Sequence, residues 1–199
     1  MNPFSIFNIS SDAAFEKKAI EVFKFQFENN IVYRSFCDLL YKHPSDLRSI
    51  KDIPFLPVEF FKSHKVLSSN KDIKQTFVSS GTTNSIPSQH HITDLEVYKK
   101  SFTKGFEKFY GAFKDFTILA LLPSYLDRED SSLVYMAQEM IAQSKKTDSG
   151  FYLEDLKGLK ATLLKLENAE QKTLLLGVSY ALLDLIEFHQ FELKHSFVM

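Results

Sequence analysis

The sequence predicts an α/β protein in which a helical N-terminal portion is followed by a mostly parallel sheet flanked by helices. A continuous apolar run of strand length at residues 116–122, and a second strand at residues 172–176 that ends in three leucines, are typical of strands buried on both faces of a parallel sheet. Helical patterns separate the runs, and alternation of strand and helix is the signature of the α/β class. We predict one domain with a helical portion over residues 1–64 and an α/β portion over residues 65–199.

The N-terminal portion is predicted to form three helices. A Ser-Asp pair can cap a helix over residues 13–29, along which apolar residues recur at helical spacing. A second helix over residues 31–41 must stop before Pro44, because the residue that precedes a proline avoids the α region. Pro57 suits the first turn of a short helix over residues 58–63. No chemistry is visible in this portion.

The pattern changes to shorter elements after residue 64. Short strands are predicted at residues 65–67 and 75–78, on either side of an Asn-Lys turn. Thr93 and Glu96 have the spacing of a capping box, which predicts the start of a helix. Gly111 is suited to end that helix, because glycine adopts the left-handed conformation found after many helices.

The second half of the chain continues the alternation around the two apolar strands. Helices are predicted over residues 133–144, 153–168 and 181–190, and Gly150 is predicted to mark a turn. Residues 195–199, His-Ser-Phe-Val-Met, are predicted to start a third strand of the buried type. Ligand groups in such sheets sit just past the carboxyl ends of strands. Because no loop follows this strand, we expect the chain to be the N-terminal part of a longer protein.

Composition excludes several classes of function. The net charge of −1 does not favour a nucleic-acid or membrane-surface binder. The single cysteine, Cys37, rules out an internal disulfide framework and lies in an apolar helical pattern that predicts a buried structural thiol. Neither a secretory signal nor an apolar run of about 18 residues is present, so we expect a cytoplasmic protein without a membrane span.

The most informative stretch is the loop over residues 79–88, where a short apolar run gives way to small, polar and turn-forming residues. The hydroxyls of Ser80, Thr82 and Thr83 flank Gly81. Hydroxyls and backbone N–H groups can donate to an anion, and glycine lets the backbone come close, so a polyphosphate is the predicted guest. The loop lacks the lysine of the Walker pattern. The alternative is an ordinary turn between a strand and a helix.

Three loops, residues 79–88, 123–127 and 177–180, leave the carboxyl ends of predicted strands. In one parallel sheet these ends converge on the same edge. Convergence would bring together seven polar side chains, those of Ser80, Thr82, Thr83, Ser124, Tyr125, Ser179 and Tyr180. The alternative for Ser124 and Ser179 is that each merely caps the helix that follows.

Other candidate residues have weaker signals. The six histidines form no metal-binding motif, although His90 could contact a phosphate or carboxylate near the loop; the alternative is an ordinary surface histidine. Residues 177–181 approach the G-x-S-x-G elbow, with Ala181 in place of the last glycine. An α/β-hydrolase-like acyl transferase with Ser179 as nucleophile is therefore an alternative function, although no acid and histidine follow at suitable distances. A non-catalytic interaction module is a third.

The loop over residues 79–88, Ser-Ser-Gly-Thr-Thr-Asn-Ser-Ile-Pro-Ser, resembles the phosphate-binding signature of adenylate-forming enzymes, usually S-S-G-T-T-G followed shortly by proline. Further stretches occur in the order found in one narrower family, at residues 54–62, 121–126, 150–153 and 177–184. Together they make the chain similar to the acyl-protein synthetase (LuxE) family, whose members activate fatty acids in bacterial luminescence.

This resemblance implies the fold of the N-terminal subdomain of adenylate-forming enzymes and a two-step reaction. A long-chain fatty acid would attack the α-phosphate of ATP to give an acyl-adenylate and pyrophosphate, and the acyl group would then pass to a protein thiol. Mg²⁺ would share the phosphate charge. The residues implied to bind the nucleotide are Ser79, Ser80, Gly81, Thr82, Thr83 and Ser88. Those implied to border the substrate pocket are Ser124, Gly177, Ser179 and Tyr180.

The chain departs from the family pattern in two respects. Asn84 replaces the last glycine of the signature. Asparagine tolerates the left-handed backbone conformation, so we expect the loop to keep its shape. The family's adenine-binding and metal-binding segments and its acyl-accepting cysteine lie in later sequence, and Cys37 does not match that cysteine. We therefore expect a fragment without activity of its own, an acyl-accepting or acyl-reducing partner protein, and self-association through an exposed apolar sheet edge.

Overall fold

The structure, a computed structural model, describes residues 2–80, 86–122, 130–153 and 155–199. The chain divides into two compact units, Met1–Tyr98 and Lys99–Met199. The first unit contains helices and a two-stranded antiparallel sheet, and the second contains a four-stranded parallel sheet with helices on its faces. The predicted α/β class is confirmed. The predicted division after residue 64 stays a prediction.

The first unit begins with three α-helices: α1 (Asp12–Asn29), α2 (Ile31–Leu39) and α3 (Phe60–Ser63). The side chain of Ser11 accepts a hydrogen bond from the backbone N–H of Ala14 and caps α1. Asn30 separates α1 from α2, and its side chain caps α2. Side-chain caps of this kind satisfy N–H groups that the first turn of a helix leaves unpaired. The three predicted helices are confirmed, with ends displaced by at most two residues.

A small aromatic core holds α1 and α2 together. It consists of Phe23, Phe27, Tyr33 and Cys37, all buried. The Tyr33 hydroxyl donates to the carbonyl of Pro54 at 2.6 Å and so ties the segment before α3 to α2. Burial raises the pKa of the Cys37 thiol, which keeps the thiol protonated. The predicted buried cysteine is confirmed.

The antiparallel sheet of the first unit consists of β1 (Gln75–Val78) and β2 (Gln89–Ile92). The predicted strand at residues 75–78 is confirmed, but the one at 65–67 is wrong. Ser68, just after that segment, hydrogen-bonds the side chains of Gln26 and Asn30. The segment is therefore held by side chains of α1 and its cap, and the described residues show no partner strand beside it. The structure adds β2, which the sequence did not predict.

The second unit alternates helices and strands, and its sheet has the order β4-β3-β5-β6 with every neighbouring pair parallel. Its elements are α4 (Leu95–Tyr110, which starts in the first unit), β3 (Thr117–Leu121), α5 (Ser132–Ser144), β4 (Gly150–Phe151), α6 (Leu156–Asn168), β5 (Thr173–Gly177), α7 (Ser179–Phe188) and β6 (Ser196–Val198). The helices and strands predicted for this half are confirmed in position, with ends displaced by at most three residues. The prediction that the last strand is of the buried type is wrong, because Phe197 and Val198 of β6 are exposed.

Local backbone conformation explains two differences from the sequence-based expectation. Gly150 does not mark a turn, because it pairs with Leu119 as the first residue of β4. Helix α6 begins later than predicted because Leu153 has a φ of 39°, outside the right-handed helical region. Asp155 caps the helix instead, by accepting from the N–H of Gly158 at 2.8 Å.

The two central strands are buried on both faces, as their apolar runs predict. All five residues of β3 are buried, and so are four of the five in β5. One face packs on α6 and α7 through Leu119, Leu121, Leu159, Leu163, Leu175 and Leu185. The other face packs on a phenylalanine-rich cluster with Phe106, Phe113, Phe116, Ile118, Met140 and Leu174. Burial of these side chains is the main favourable contribution to the stability of the unit.

A single carboxylate anchors the chain just before β6. Glu167, near the end of α6, accepts from the backbone N–H of Lys194 at 2.6 Å and of His195 at 3.2 Å. Desolvation raises the pKa of Glu167, but these amide hydrogen bonds and the hydroxyl of Ser196 outweigh it, so the pKa lies below its ordinary value. The charged carboxylate therefore stabilises the docking of β6, and this contribution is present above the unfolded pKa.

We expect this anchor to weaken in acid. The amide protons of Lys194 and His195 should shift upfield in NMR spectra as pH falls below about 4.5, through the lowered pKa of Glu167, because protonation weakens the acceptor. A Glu167→Ala variant should lose this pH response and exchange both amides faster. Glu170→Ala, at an exposed position after the same helix, is the control and should leave both amides unchanged. An unchanged response in Glu167→Ala would contradict the anchor.

The last two elements of the chain, α7 and β6, carry several exposed apolar side chains. Leu183 and Ile186 of α7 are 60% and 55% exposed, and Val198 of β6 is 58% exposed. In the described residues β6 pairs only with β5, which leaves one edge of this strand unpaired. The expected self-association through such an edge stays a prediction. None of the helices in the described ranges has the length and apolar character needed to cross a membrane.

Candidate functional site

The loop at residues 79–88 joins two antiparallel strands rather than a strand and a helix. Two hydrogen bonds between Ser79 and Ser88 close its neck. The N–H of Ser79 donates to the carbonyl of Ser88 at 3.0 Å, and the N–H of Ser88 donates to the Ser79 Oγ at 2.9 Å. They continue the register in which Val78 opposes Gln89. The loop is therefore held at its base by the hairpin.

The described hydroxyls of this loop are available to a ligand. Ser79 and Ser80 are exposed, and Ser88 is half-buried. A serine hydroxyl carries one donor and two lone pairs, so the Ser79 Oγ can accept from Ser88 and still donate outward. The other predicted phosphate ligands, Gly81, Thr82 and Thr83, lie outside the described residues, and so does Asn84.

The predicted convergence of three loops on one sheet edge is wrong for residues 79–88. Strand β1 belongs to the antiparallel sheet of the first unit, so its carboxyl end is not part of the parallel edge. The prediction of convergence assigns residues 65–67 and 75–78 to the same sheet as the later strands, and this assignment is the source of the error. The loops after β3 and β5 do leave neighbouring parallel strands. Ser124 and Tyr125, in the loop after β3, lie outside the described residues.

The turn after β5 brings α7 very close to the sheet. A Cβ on Gly177 would lie 2.8 Å from the Cδ2 atom of Leu182 and 3.4 Å from the carbonyl oxygen of Leu121. Glycine therefore allows the first turn of α7 to pack directly over the ends of β3 and β5. Ser179 and Tyr180 follow as exposed residues of that first turn.

The glycine should be required for this packing. We expect Gly177→Ala to destabilise the second unit by about 1–3 kcal/mol, because the added methyl group must displace Leu182. Gly105→Ala is the matched control: a Cβ there meets no atom within 4 Å, so the change should stabilise α4 by about 0.5–1 kcal/mol. Urea unfolding followed by circular dichroism measures both. Equal stability of Gly177→Ala and wild type would contradict the packing argument.

Ser179 neither caps α7 nor forms a nucleophile elbow. The capping position is held by Val178, whose side chain has no acceptor, and Ser179 is the first helical residue. An elbow serine sits on a strained turn, but Ser179 is not among the described non-glycine residues with positive φ. Within the described ranges no hydrogen bond joins Ser179 to a histidine. His189 packs on Phe191, at 4.8 Å between the two ring centroids. The geometry does not favour Ser179 as a nucleophile.

The first turn of α7 instead has the features of an anion or carboxylate site. Its initial N–H groups have no side-chain cap from Val178, and the positive end of the helix dipole favours negative charge. The exposed hydroxyl of Ser179 adds a donor. Gly177, Ser179 and Tyr180 are therefore together at the carboxyl edge of the parallel sheet, as the sequence predicts for a pocket-bordering segment. Their role in binding stays a prediction.

The structure also assigns His90 and His91 to different faces of the hairpin, which the sequence did not predict. His90 opposes Phe77 and His91 opposes Thr76 across the hairpin, so the two rings lie on opposite faces. The His91 Nδ1 is 2.9 Å from the Thr76 Oγ1. The His90 ring packs edge-on against Phe61, with centroids 5.6 Å apart. No alternation of apolar residues marks β2, and for this reason the sequence did not separate the roles of the two histidines.

The described residues contain no group of three or more histidine, cysteine, aspartate or glutamate side chains that could hold a metal ion. Hydroxyls and backbone N–H groups dominate the loop and the α7 turn. Such donors suit phosphate or carboxylate oxygens, which are acceptors.

Comparison of the sequence with known protein families gives a match. The protein-family model described as "Acyl-protein synthetase, LuxE" matches residues 1–191, nearly the whole chain. No curated protein matches.

Proposed function

The chain belongs to the LuxE acyl-protein synthetase family, and from this premise we propose that its hairpin loop binds the phosphates of ATP in an acyl-activating reaction. The observation that carries the proposal is the loop at residues 79–88, a hydroxyl-rich segment closed at its neck by the two Ser79–Ser88 hydrogen bonds. The closed neck fixes the positions of Ser79 and Ser88 before a ligand arrives. Prior order of this kind reduces the entropic cost of binding.

The reaction that we propose is adenylation of a long-chain fatty acid. A carboxylate oxygen of the acid forms a bond to the α-phosphorus of ATP, the bond from that phosphorus to the oxygen bridging to the β-phosphorus breaks, and pyrophosphate leaves. Ser79, Ser80, Thr82, Thr83 and Ser88 would donate to the β- and γ-phosphates, where charge accumulates on the leaving group. The backbone at Gly81 would approach the phosphates closely.

Mg²⁺ would enter together with ATP. The described residues supply no cluster of acidic or histidine ligands, so we propose that the phosphate oxygens of the nucleotide are the main ligands of the ion. When bound, Mg²⁺ offsets the negative charge of the phosphates.

The second unit would hold the acyl substrate. We propose that Gly177, Ser179 and Tyr180, with Ser124 after the neighbouring strand, border the pocket for the fatty acid. The exposed hydroxyl of Ser179 in the first turn of α7 and the positive end of the helix dipole suit a carboxylate. The acyl group would then pass from the adenylate to a protein thiol. An acyl-accepting or acyl-reducing partner protein is part of the same proposal.

The test is exchange of labelled pyrophosphate into ATP by the purified protein. Exchange that requires a long-chain fatty acid supports adenylation, because it reports reversal of the first step alone. Exchange that is absent with every fatty acid, although acid and ATP both bind, would overturn the proposal. Binding of ATP to the 199-residue chain, measured by calorimetry, tests the phosphate loop separately from the chemistry.

A further inference from the structure

One face of the β1–β2 hairpin carries both the neck of the loop and a histidine. Phe77 and His90 are directly opposite across the two strands, and side chains two residues further along a strand return to the same face. Continuing this register places Ser79 and Ser88 on the face of His90. Ser88 and His90 are two residues apart on one strand, a separation of about 7 Å. A phosphate above the neck would thus be within reach of the imidazole.

The ring of His90 is held in place without using its nitrogens. Phe61 of α3 packs edge-on against it at an interplanar angle of 68°. The described residues provide no hydrogen-bond partner for either ring nitrogen of His90, whereas the Nδ1 of His91 is engaged by Thr76 on the other face. His90 is therefore the histidine that can contact a ligand, and His91 serves the hairpin itself.

We propose that His90 is an anion-binding residue of the phosphate loop, donating as an imidazolium to a phosphate oxygen of the bound nucleotide. This inference rests on the proposed function. Charge-assisted hydrogen bonds are shorter and stronger than neutral ones, so a cation at this place adds affinity that the neutral hydroxyls of the loop do not supply.

The charges around His90 make its protonation dependent on the ligand. Desolvation, with a smaller effect of the neighbouring His91, lowers the pKa of His90 in the free protein. Lys62 lies on the packed helix α3, with Glu59 immediately before the helix and His64 immediately after it, and the ring of His64 stacks on Phe60. Strand β1, Gln75–Val78, has no charged side chain. No carboxylate is among the causes that set the pKa of His90, so the ligand's phosphates would supply the charge that raises this pKa.

Binding and protonation must then be linked. Because the pKa of His90 is higher with the anion than without it, binding takes up a proton and tightens as pH falls. The gain is complete below the pKa of the free state and is lost as pH rises through the pKa of the bound state. We expect wild type to bind ATP about tenfold more tightly than His90→Phe at pH 6, and about equally at pH 8.

The experiment combines calorimetry and NMR on the 199-residue chain. His90→Phe keeps a ring against Phe61, and His91→Gln is the matched control on the opposite face. Each variant is titrated with ATP and Mg²⁺ at pH 6 and pH 8. Using His90→Phe as the reference removes the effect of the nucleotide's own protonation. The pKa of His90 is read from its ring resonances with and without ATP.

A rise in the pKa of His90 on adding ATP, together with a wild-type advantage confined to low pH, supports the inference. An unchanged pKa with ATP bound overturns it and leaves the phosphate loop standing. An equal affinity loss in His91→Gln also overturns it, since the face would then not matter. Failure of ATP to bind to wild type at either pH overturns the inference and the proposed phosphate site together.

Discussion

Replacing both loop threonines, Thr82→Ala with Thr83→Ala, should lower fatty-acid-dependent exchange of pyrophosphate into ATP by at least about 100-fold. Removing one donor aimed at developing negative charge typically costs about 10²–10³ in rate, and this change removes two hydroxyls. The effect should be mainly on the rate at saturating ATP, because the charge on the leaving pyrophosphate grows in the transition state. Exchange is measured on the purified protein with labelled pyrophosphate.

The matched control for the threonine variants is Thr147→Ala. Thr147 is exposed between α5 and β4, far along the chain from the loop, and should tolerate the change with full exchange. Circular dichroism should show the same fold for all three proteins. If the double variant exchanges at the wild-type rate, the threonine hydroxyls do not bind the phosphates and the role of the loop must be abandoned.

Leu163→Ala should destabilise the second unit by about 2–5 kcal/mol. Leu163 is fully buried between α6 and the sheet, in a cluster with Leu119 and Leu175. Truncation removes favourable burial and leaves a cavity that the surrounding strands fill only in part. The free energy of unfolding is measured by urea titration followed by circular dichroism.

The neighbouring Leu164 supplies the control for this truncation. Its side chain is 38% exposed, so Leu164→Ala should cost much less, about 1 kcal/mol or below. The pair has the same chemistry, the same helix and adjacent positions, and differs only in burial. Similar losses for the two variants would mean that α6 does not pack on the sheet through Leu163.

The parallel sheet could be predicted because the sequences of its central strands have the pattern of strands that are buried on both faces. Residues 116–122 are apolar apart from one threonine, and residues 174–176 are three successive leucines. Runs without alternation are expected where both faces of a strand are covered. The structure buries these strands between two sets of helices. Strand β4 escaped prediction because a two-residue strand has too few side chains for any periodicity.

The candidate site was predictable only in part. The hydroxyls around Gly81 stand together in sequence, so their clustering needs no knowledge of the fold. The assignment of the strand before that loop to the parallel sheet was wrong, because a four-residue strand such as β1 looks the same in either sheet. The neck hydrogen bonds between Ser79 and Ser88 depend on β2, a strand without an apolar pattern.

The local features of the chain could be determined from its sequence alone: the hydroxyl-rich composition of the loop, the buried central strands, the helix caps and the family to which the chain belongs. The contacts between elements were set only by the tertiary structure. The antiparallel pairing of β1 with β2, the separate faces of His90 and His91, and the close approach of α7 over Gly177 appear only in three dimensions. The physical reason is that strand pairing and side-chain contacts join residues distant in the chain, whereas propensity and capping act between near neighbours.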